Sequence, residues 1–335
     1  MRIATYNVEW FNALFDPEGR VRHDDGWSGR YNVRRGAQAA ALAEVFRTLD
    51  ADGIFIVEAP DATPRRSTAL ALETFAAEAR LRARECVTGF LNETQQELAF
   101  LYDPDRLQAI HAPRDGVGEV PRFDGVYLID LDIDATRDQV VFSKPPLELS
   151  VETAKGFAFQ MIGAHLKSKA PHGLTDPDQI MQRAIANRRK QLAQAVWLRA
   201  RIDQHLNAGA PLIVLGDLND GPGLDEYESL FGRSSVEIVL GADENLQLFD
   251  PHARLALSRR LGAMPTSARF WVEPERRFLQ ALLDYIMVSR EFLAREPVWR
   301  IWHPFDDPEC WENTSLSRAL LTASDHFPVT IDIDI

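Results

Sequence analysis

The sequence has little cysteine and no long apolar run. Its 335 residues include two cysteines, Cys86 and Cys310. Because neither belongs to a Cys-x-x-Cys motif, they provide no disulfide framework and no sign of a zinc or redox site. No stretch approaches the ~18 uncharged apolar residues of a transmembrane helix. The N-terminus, MRIATYNVEWF, lacks the apolar segment of a secretory signal, so we expect a cytoplasmic protein.

The chain is also short of basic residues. Lysine and arginine number 37 against 50 aspartates and glutamates, which gives a formal net charge of −13. This balance excludes a protein that coats nucleic acid over its whole surface. It does not exclude an enzyme of phosphate esters, because a local basic patch or a bound cation can reverse the field at one site.

Short β-rich runs alternate with longer helical ones from the first residues to the last. Apolar periodicity predicts helices over 36–49, 66–83 and 178–207. Strands are expected within 2–10, 53–60, 97–103, 126–133, 156–169, 211–220, 281–290, 297–303 and 326–335. No repeat or linker divides the chain. We therefore expect a single α/β domain over 1–335, with mixed and largely antiparallel sheets.

Two of these helices carry specific expectations about burial. In the helix over 66–83, Leu70, Phe75 and Ala79 are expected to point inward. In the helix over 178–207, one apolar face should pack on the protein and four basic side chains should lie off it, with Arg188, Arg189 and Lys190 in solvent. Those basic residues are Arg188, Arg189, Lys190 and Arg201.

Polar residues interrupt or terminate the apolar runs in a recurring way. They are Asn7, Glu58, His165, Asp217, Asn219, Asp284, Asp325 and His326. An isolated buried carboxylate is costly unless it is paired, hydrogen-bonded or bound to a metal. Because these residues are all acids, amides or imidazoles beside β-rich segments, they predict one shared site.

The residue types narrow the chemistry of that site. Carboxylate and amide oxygens without thiolates favour a hard cation, which we expect to be Mg²⁺, with Mn²⁺ possible. The two histidines would transfer a proton or stabilise charge on a phosphoryl group.

The stretch PLIVLGDLND (211–220) shows the pattern at its clearest. An apolar run typical of a buried strand ends in Gly216, which permits a tight backbone. Beyond it, Asp217 and Asn219 alternate along a chain that we expect to be still extended, so both should face the same side. Asp220 should point the other way and lie outside the site.

Six segments occur in a characteristic order, namely TYNVEW, IFIVEAP, AHLKS, VLGDLND, LLDYIMVS and SDHFPV. This set, which spans residues 5–329, resembles the endonuclease/exonuclease/phosphatase superfamily, the group that includes deoxyribonuclease I. The resemblance implies a four-layer α/β sandwich, with two face-to-face mixed β-sheets flanked by helices. It also implies a metal-dependent phosphodiesterase whose site lies at one edge of the sandwich, where strand-end loops converge.

The same resemblance implies roles for the matching positions. Glu58 would be the main metal ligand, Asn7 would bind metal or phosphate nearby, and Asp325 would be a further metal ligand. Asp217 would orient or deprotonate the attacking water, and Asn219 would hold a phosphate oxygen.

The histidines have less definite roles. His326, oriented by Asp284, would contact the scissile phosphate or act as the base. His165 would lie opposite it, as a general acid or a transition-state stabiliser.

Two positions depart from the pattern of the family. Gln96 stands where deoxyribonuclease I-like members carry a glutamate; it could orient His165 but would not raise its pKa as a carboxylate does. Pro60 stands where some nucleases carry an arginine that contacts phosphate. Phosphate binding then falls to Lys167 or Lys169, and we favour Lys167.

Three functions fit the sequence. The first is a Mg²⁺-dependent phosphodiesterase, specifically a nuclease that acts on nucleic acid. The second is a phosphatase or phosphodiesterase of a small molecule or a lipid head group, which the acidic net charge favours. The third is a binding protein without activity, which should lack site residues, whereas every matched position is filled. The arginines of the loop over 12–35 either supply a local positive field or are ordinary solvated charges, and this loop and the stretch 232–281 are expected to set specificity.

Overall fold

Two mixed β-sheets pack face to face in the protein. The structure, a computed structural model, describes residues 1–92, 94, 96–131, 138–170, 176–221, 232–258, 264–272 and 276–335. The strands are β1 (Arg2–Asn7), β2 (Gly53–Ala59), β3 (Glu85–Thr88), β4 (Glu97–Tyr102), β5 (Leu107–His111), β6 (Tyr127–Ile129), β7 (Asp138–Val140), β8 (Leu147–Thr153), β9 (Ala158–His165), β10 (Leu212–Asp217), β11 (Ala268–Val272), β12 (Arg277–Ala281), β13 (Asp284–Val288), β14 (Val298–Ile301) and β15 (Val329–Asp332). The first sheet has the order β14-β15-β1-β2-β4-β3, and the second has the order β13-β10-β9-β8-β5.

Helices flank the two sheets. They are α1 (Arg35–Leu49), α2 (Thr68–Ala79), α3 (Pro177–Asn207), α4 (Ser235–Leu240), α5 (Pro251–Leu257), α6 (Arg290–Leu293), α7 (Pro308–Glu312) and α8 (Thr314–Ala323). Within the described residues, no helix is both long enough and apolar enough to cross a membrane.

The core is divided into three apolar layers. The central layer lies between the sheets and joins Phe55 and Phe100 of the first sheet to Leu149 and Met161 of the second. A second layer joins α1, α2 and α8 to the outer face of the first sheet, and a third joins α3, α4 and α5 to the second sheet. The four-layer α/β sandwich with two mixed sheets is therefore confirmed.

The pairing of the strands brings several chain segments to one edge of the sandwich. Strands β1 and β2 run parallel, as do β9 and β10, so their carboxyl ends meet there. Strands β4, β8, β13 and β15 run antiparallel to these, so they begin at the same edge. Polar residues just after the first group and just before the second are thus neighbours in space.

The end of β10 is fixed by Gly216. Its φ is +127°, and a Cβ at this position would lie 2.0 Å from the carbonyl oxygen of Ala164 on the neighbouring strand. Asn219 has a φ of +51°, so the chain beyond Asp217 turns and is not extended as expected. Its amide nevertheless lies 3.4 Å from the Asp217 carboxylate, because the turn folds Asn219 back onto it.

Asp220 lies outside the site, as expected. Its carboxylate is fully buried and accepts hydrogen bonds from Lys169 at 2.6 Å and Arg188 at 3.1 Å. It also accepts the backbone N–H of Ser235 at the start of α4. Asp220 thus connects α3, α4 and the strand-end loop below the site.

Two expectations about helix faces are wrong. Leu70 is 57 % exposed, because the buried face of α2 follows Ala71, Leu72 and Phe75, and Leu70 lies off it. Arg188 and Arg201 of α3 are buried, not solvated. Arg188 is drawn inward by Asp220, and Arg201 donates to the carbonyl oxygens of residues 115 and 121 in the segment that covers α3.

Parts of the expected irregular segments prove to be regular. The stretch 232–281 contains α4, α5 and the hairpin of β11 and β12, and its residues 259–263 and 273–275 lie outside the described part. The strand expected over 126–133 is confined to β6, and residues 132–133 lie outside the described part.

Replacing Gly216 by alanine tests how tightly the end of β10 is held. We expect Gly216→Ala to lower the free energy of unfolding by roughly 2–4 kcal/mol, because the new Cβ clashes with backbone and φ is unfavourable. Chemical denaturation measures this. Gly209→Ala is the matched control: φ there is +70° but nothing lies within 4 Å, so a loss of about 1 kcal/mol is expected. Equal losses in the two variants would contradict the close approach.

Candidate active site

The edge where the strand ends converge holds a cavity of about 650 Å³. Seven of the eight polar residues singled out in the sequence line it, together with Lys167. These are Asn7, Glu58, His165, Lys167, Asp217, Asn219, Asp325 and His326. The eighth, Asp284, lies behind His326 and contacts it.

Asp217 lies at the centre of the hydrogen bonds in the cavity. Its Oδ2 accepts from Asn7 Nδ2 at 3.0 Å, and its Oδ1 accepts the backbone N–H of Asn219 at 2.7 Å. The side chain is 1 % exposed. Burial raises the pKa of Asp217 to about 7, against the opposing effects of His326 and these donors. A carboxyl group with such a pKa is suited to accept a proton at neutral pH.

His326 is held by Asp284. Its Nδ1 lies 2.8 Å from Asp284 Oδ2, and its Nε2 faces Asp217 Oδ2 at 4.0 Å. Burial alone would lower the pKa of His326, but Asp284 and Asp217 outweigh it and hold the pKa well above its usual range. These two carboxylates therefore favour the imidazolium form of His326.

Asp284 is itself fixed by Ser267. The Ser267 hydroxyl donates to Asp284 Oδ2 at 2.8 Å and accepts the backbone N–H groups of Leu283 and Asp284, each at 3.0 Å. A serine that precedes β11 thus sets the direction of the carboxylate behind His326.

His165 has the opposite charge state. It ends β9, and its Nε2 lies 3.8 Å from Asp217 Oδ2. Burial lowers the pKa of His165 well below its usual value, and the positive charge of Lys144 lowers it further. The cavity therefore presents a neutral imidazole on one side of Asp217 and a charged one on the other.

Three carboxylates lie at the other end of the cavity, on Glu9, Glu58 and Asp325. Glu58 Oε2 accepts the backbone N–H of Trp10 at 2.9 Å, and among the described residues no cation lies within ion-pair distance of it. Burial raises the pKa of Glu58, and Asp325 adds to the rise. Arg30 pairs with Glu9, whereas Glu58 and Asp325 have no ion-pair partner among the described residues. Because a hard divalent cation prefers oxygen donors whose negative charge is uncompensated, these two carboxylates fit Mg²⁺ or Mn²⁺.

Another group of donor atoms fits a metal less well. Among the described residues, ligand atoms of Asp217, Asp284 and His326 lie within 4.8 Å of one another. However, His326 Nδ1 and Asp284 Oδ2 already bond to each other, and Asp284 does not line the cavity. This group is a hydrogen-bonded chain of side chains and not a metal centre.

Backbone conformation places several of these side chains. Glu9, Trp10, Glu58 and Asn219 all line the cavity and all have φ between +48° and +62°. At Glu58 the pairing of β2 with β4 contains a bulge, which turns the carboxylate toward the cavity. Such strained backbone is concentrated at functional sites.

A family comparison agrees with this geometry. The model of the Endonuclease/Exonuclease/phosphatase family matches residues 4–326. The chain belongs to this family. Its members hydrolyse phosphate esters and generally depend on a divalent metal, and this chain is a phosphoester-hydrolysing enzyme of the same family. No curated protein is significantly similar to it in sequence.

Solved structures of family enzymes share the fold. The 3′ phosphatase NExo from Neisseria, bound to a product DNA hairpin, superposes with a TM-score of 0.51 at 17 % identity and covers 100 % of both chains. Beta toxin from Staphylococcus aureus gives 0.51 at 14 % identity over 99 % of both chains. TDP2 from D. rerio, in complex with a single-strand DNA product, gives 0.50 at 13 % identity over 99 % of this chain and 97 % of that one.

Lys144 is a site residue that the sequence did not indicate. It precedes β8, lies 3.0 Å from His165 Nδ1 through its Nζ, and lines the cavity. The cavity is also lined by residues that the sequence did not indicate, namely Glu9, Trp10, Ser143 and Ser168. Lys144 comes directly before the apolar run of β8, and the pattern Ser-Lys-Pro-Pro ahead of that run was the available signal.

The departures from the family pattern have structural consequences. Contrary to the expectation that Gln96 orients His165, the two side chains are connected only through Lys144. Gln96 Oε1 accepts a hydrogen bond from Lys144, and Lys144 contacts His165. Lys169 is excluded as a phosphate ligand, because it pairs with the buried carboxylate of Asp220. Lys167 has no acidic partner among the described residues.

The arginines of the loop over 12–35 do not supply a free positive field. Four of the five pair with acids of the same region, and the fifth, Arg34, stacks on Trp27 at 3.4 Å. The four pairs are Arg20 with Asp16 and Glu18, Arg22 with Asp24, Arg30 with Glu9, and Arg35 with Asp24.

Ser267→Ala tests whether Ser267 holds Asp284, and through it His326, in position. The change removes a donor from Asp284 and leaves two buried N–H groups without their acceptor, so we expect the free energy of unfolding to fall by about 2 kcal/mol. Turnover of a phosphodiester should fall as well, because Asp284 then holds His326 less firmly. Ser258→Ala, at an exposed serine, is the control and should change stability by less than about 0.5 kcal/mol. Wild-type stability and turnover in Ser267→Ala would contradict this assignment.

Proposed function

We propose that the protein is a Mg²⁺-dependent phosphodiesterase and specifically a nuclease. The observation that supports this best is the arrangement around Asp217. A buried carboxyl group with a pKa of about 7 lies between a neutral histidine, His165, and a charged one, His326. Proton acceptor, neutral donor and positive charge are thus brought to one cavity, which is what attack of water on a phosphodiester requires.

The metal would be held by Glu58 and Asp325, with the amide oxygen of Asn7 beside them. When bound, Mg²⁺ would neutralise charge on the phosphoryl oxygens and lower the pKa of a coordinated water. Glu9 lies beside Asp325, whose backbone N–H it accepts, and is neutralised by Arg30, so we assign it to the support of this end of the cavity.

The reaction follows from the remaining side chains. Water bonds to phosphorus as the bond from phosphorus to the leaving oxygen breaks, and Asp217 takes the proton of the water. Asn7 and the backbone of Asn219 hold the carboxylate for this task. The amide of Asn219 would hold a phosphate oxygen, and His326 would neutralise the growing negative charge. The leaving oxygen would take its proton from solvent water.

A local group of cations supports a polymeric substrate. Lys167 lines the cavity, and its loop packs on α3 through Gln191 and Gln194. Burial lowers the pKa of Lys167, and the charges of Lys190 and Arg183 lower it further, so the three cations lie close together. None of them has an ion-pair partner among the described acids. In a chain of charge −13, such a group beside the site indicates binding of further phosphates.

The alternative is a phosphatase or phosphodiesterase of a small molecule or lipid head group. The net charge of −13 favours it. The two functions differ in one respect: a small substrate would fill the cavity alone, whereas a nucleic acid strand would extend over Lys190 and Arg183. The same fold binds DNA products in NExo and TDP2, which agrees with the first.

Asp217→Asn and His326→Ala test the assigned chemistry. Each should lower kcat for bis-p-nitrophenyl phosphate with Mg²⁺ by about 10²–10³-fold, because each removes a proton acceptor or a charge stabiliser from the transition state. A chelator should abolish wild-type turnover, and added Mg²⁺ should restore it. Asp334→Asn and His23→Ala, both exposed, are the controls. Near-wild-type rates in either site variant would refute the assignment.

Arg183→Glu combined with Lys190→Glu distinguishes the nuclease from the alternative. We expect kcat/KM for an oligonucleotide to fall by about tenfold or more and its salt dependence to weaken, because contacts to flanking phosphates are lost. Turnover of bis-p-nitrophenyl phosphate should stay unchanged.

The matched control reverses two charges at the opposite edge of the sandwich. Lys155→Glu combined with Arg290→Glu changes the net charge by the same amount but lies where β9 begins and β13 ends. If both double variants act alike on the oligonucleotide, or if no polymer is cut while the small diester is, the small-molecule function is correct.

A further inference from the structure

Lys144 has an unusual set of contacts for a lysine in a hydrolase site. Its Nζ lies 3.0 Å from His165 Nδ1 and donates to Gln96 Oε1. The side chain is partly buried, and it lies close enough to Glu58 and Asp217 for their charges to act on it. The ammonium group is therefore positioned between a neutral amide, an imidazole and the acidic end of the cavity.

The contact with His165 restricts where the imidazole can carry its proton. An ammonium group has three donors and no acceptor, so the ring nitrogen that faces it must accept. His165 Nδ1 is then unprotonated, and the single proton of the neutral ring lies on Nε2. Nε2 faces the cavity, 3.8 Å from Asp217 Oδ2.

The surroundings favour the ammonium form of Lys144. Its second contact, Gln96 Oε1, is a carbonyl oxygen, which can only accept. Burial lowers the pKa of Lys144, but Glu58 and Asp217 oppose this effect. Gln96 is neutral and does not take up the charge of Lys144, so a second proton on the His165 ring would face a cation at 3.0 Å.

We propose that Lys144 is a positioning residue that fixes His165 as the Nε2–H tautomer, so that His165 stabilises the phosphoryl group as a neutral hydrogen-bond donor and does not act as a general acid. This inference rests on the proposed function for its catalytic part, whereas the tautomer rests on the contacts of Lys144 with His165 and Gln96. It decides between the two roles that the sequence left open for His165.

His326 provides an internal reference for this assignment. Its Nδ1 contacts the Asp284 carboxylate at 2.8 Å, so this nitrogen carries a proton, whereas the same nitrogen of His165 faces a donor. The two histidines on either side of Asp217 are thus distinguished by Nδ1: protonated in His326 and unprotonated in His165.

The tautomer can be measured without substrate. In protein labelled with ¹⁵N in histidine, long-range ¹H–¹⁵N spectra at neutral pH should show an unprotonated Nδ1 and a protonated Nε2 for His165, and a protonated Nδ1 for His326. Resonances are assigned with His165→Gln and His326→Gln. Lys144→Met should give His165 a mixed or Nδ1–H tautomer, and Lys144→Arg should keep the wild-type pattern. A wild-type His165 with Nδ1 protonated, alone or together with Nε2, overturns the proposal.

The catalytic part is measured by steady-state kinetics on bis-p-nitrophenyl phosphate with Mg²⁺. Lys144→Met should lower kcat by about tenfold or more, because a misplaced donor loses transition-state stabilisation, while KM changes less than about threefold. Lys144→Arg should recover most of kcat. Lys155→Met, at an exposed lysine at the opposite edge, should match the wild type.

The outcomes distinguish failure of the positioning role of Lys144 from failure of the proposed phosphodiesterase function. An unchanged kcat in Lys144→Met overturns the positioning role, even if the tautomer changes, and an unchanged tautomer overturns it as well. If Lys144→Met does not fold, judged by thermal unfolding, the wild-type spectrum and the Lys144→Arg variant still decide. Absence of phosphodiesterase activity in the wild type would remove the proposed function, while the tautomer result would stand.

Discussion

The burial of one carboxylate, that of Asp217, is the constraint on which the site depends. A carboxyl group at the end of a central strand, 1 % exposed, cannot remain ionised without donors and positive charge around it. Asn7 and the backbone of Asn219 supply the donors, and His326 supplies the charge. These groups come from three different strand ends. The sandwich is what holds them together, since its strand pairing leaves their ends at one edge.

A second consequence of burial is that the two histidines differ in charge. Both are buried, and burial disfavours the imidazolium in both. His326 overcomes this because it has Asp284 behind it, and His165 does not because it has Lys144. The fold therefore places a positive imidazole on one side of Asp217 and a neutral one on the other. Each histidine owes its charge state to a partner that is distant from it in the sequence.

The net negative charge of the whole chain does not describe the local charge beside its cavity. Acidic residues outnumber basic ones, and the arginines of the first long loop are neutralised locally or stacked. Three cations have no acid partner among the described residues: Lys167, which lines the cavity, and Lys190 and Arg183 of α3, whose charges act on Lys167. Net charge alone favoured a small substrate, whereas the placement of these three residues favours a strand of nucleic acid.

The sequence by itself determined the layers of the fold through its family resemblance. Its local pattern determined the approximate bounds of most strands and helices and about half of the residues that line the cavity. Local pattern was enough because each of those residues adjoins an apolar strand. Only the tertiary structure revealed Lys144, the pairing of Lys169 with Asp220, and the burial of Arg188. Each of these depends on a partner distant in the chain: Lys144 reaches His165 because β8 begins where β9 ends, and Arg188 is buried because Asp220 lies beneath α3. Antiparallel pairing and the position of buried charges are set by contacts between distant segments, which periodicity along one segment does not contain.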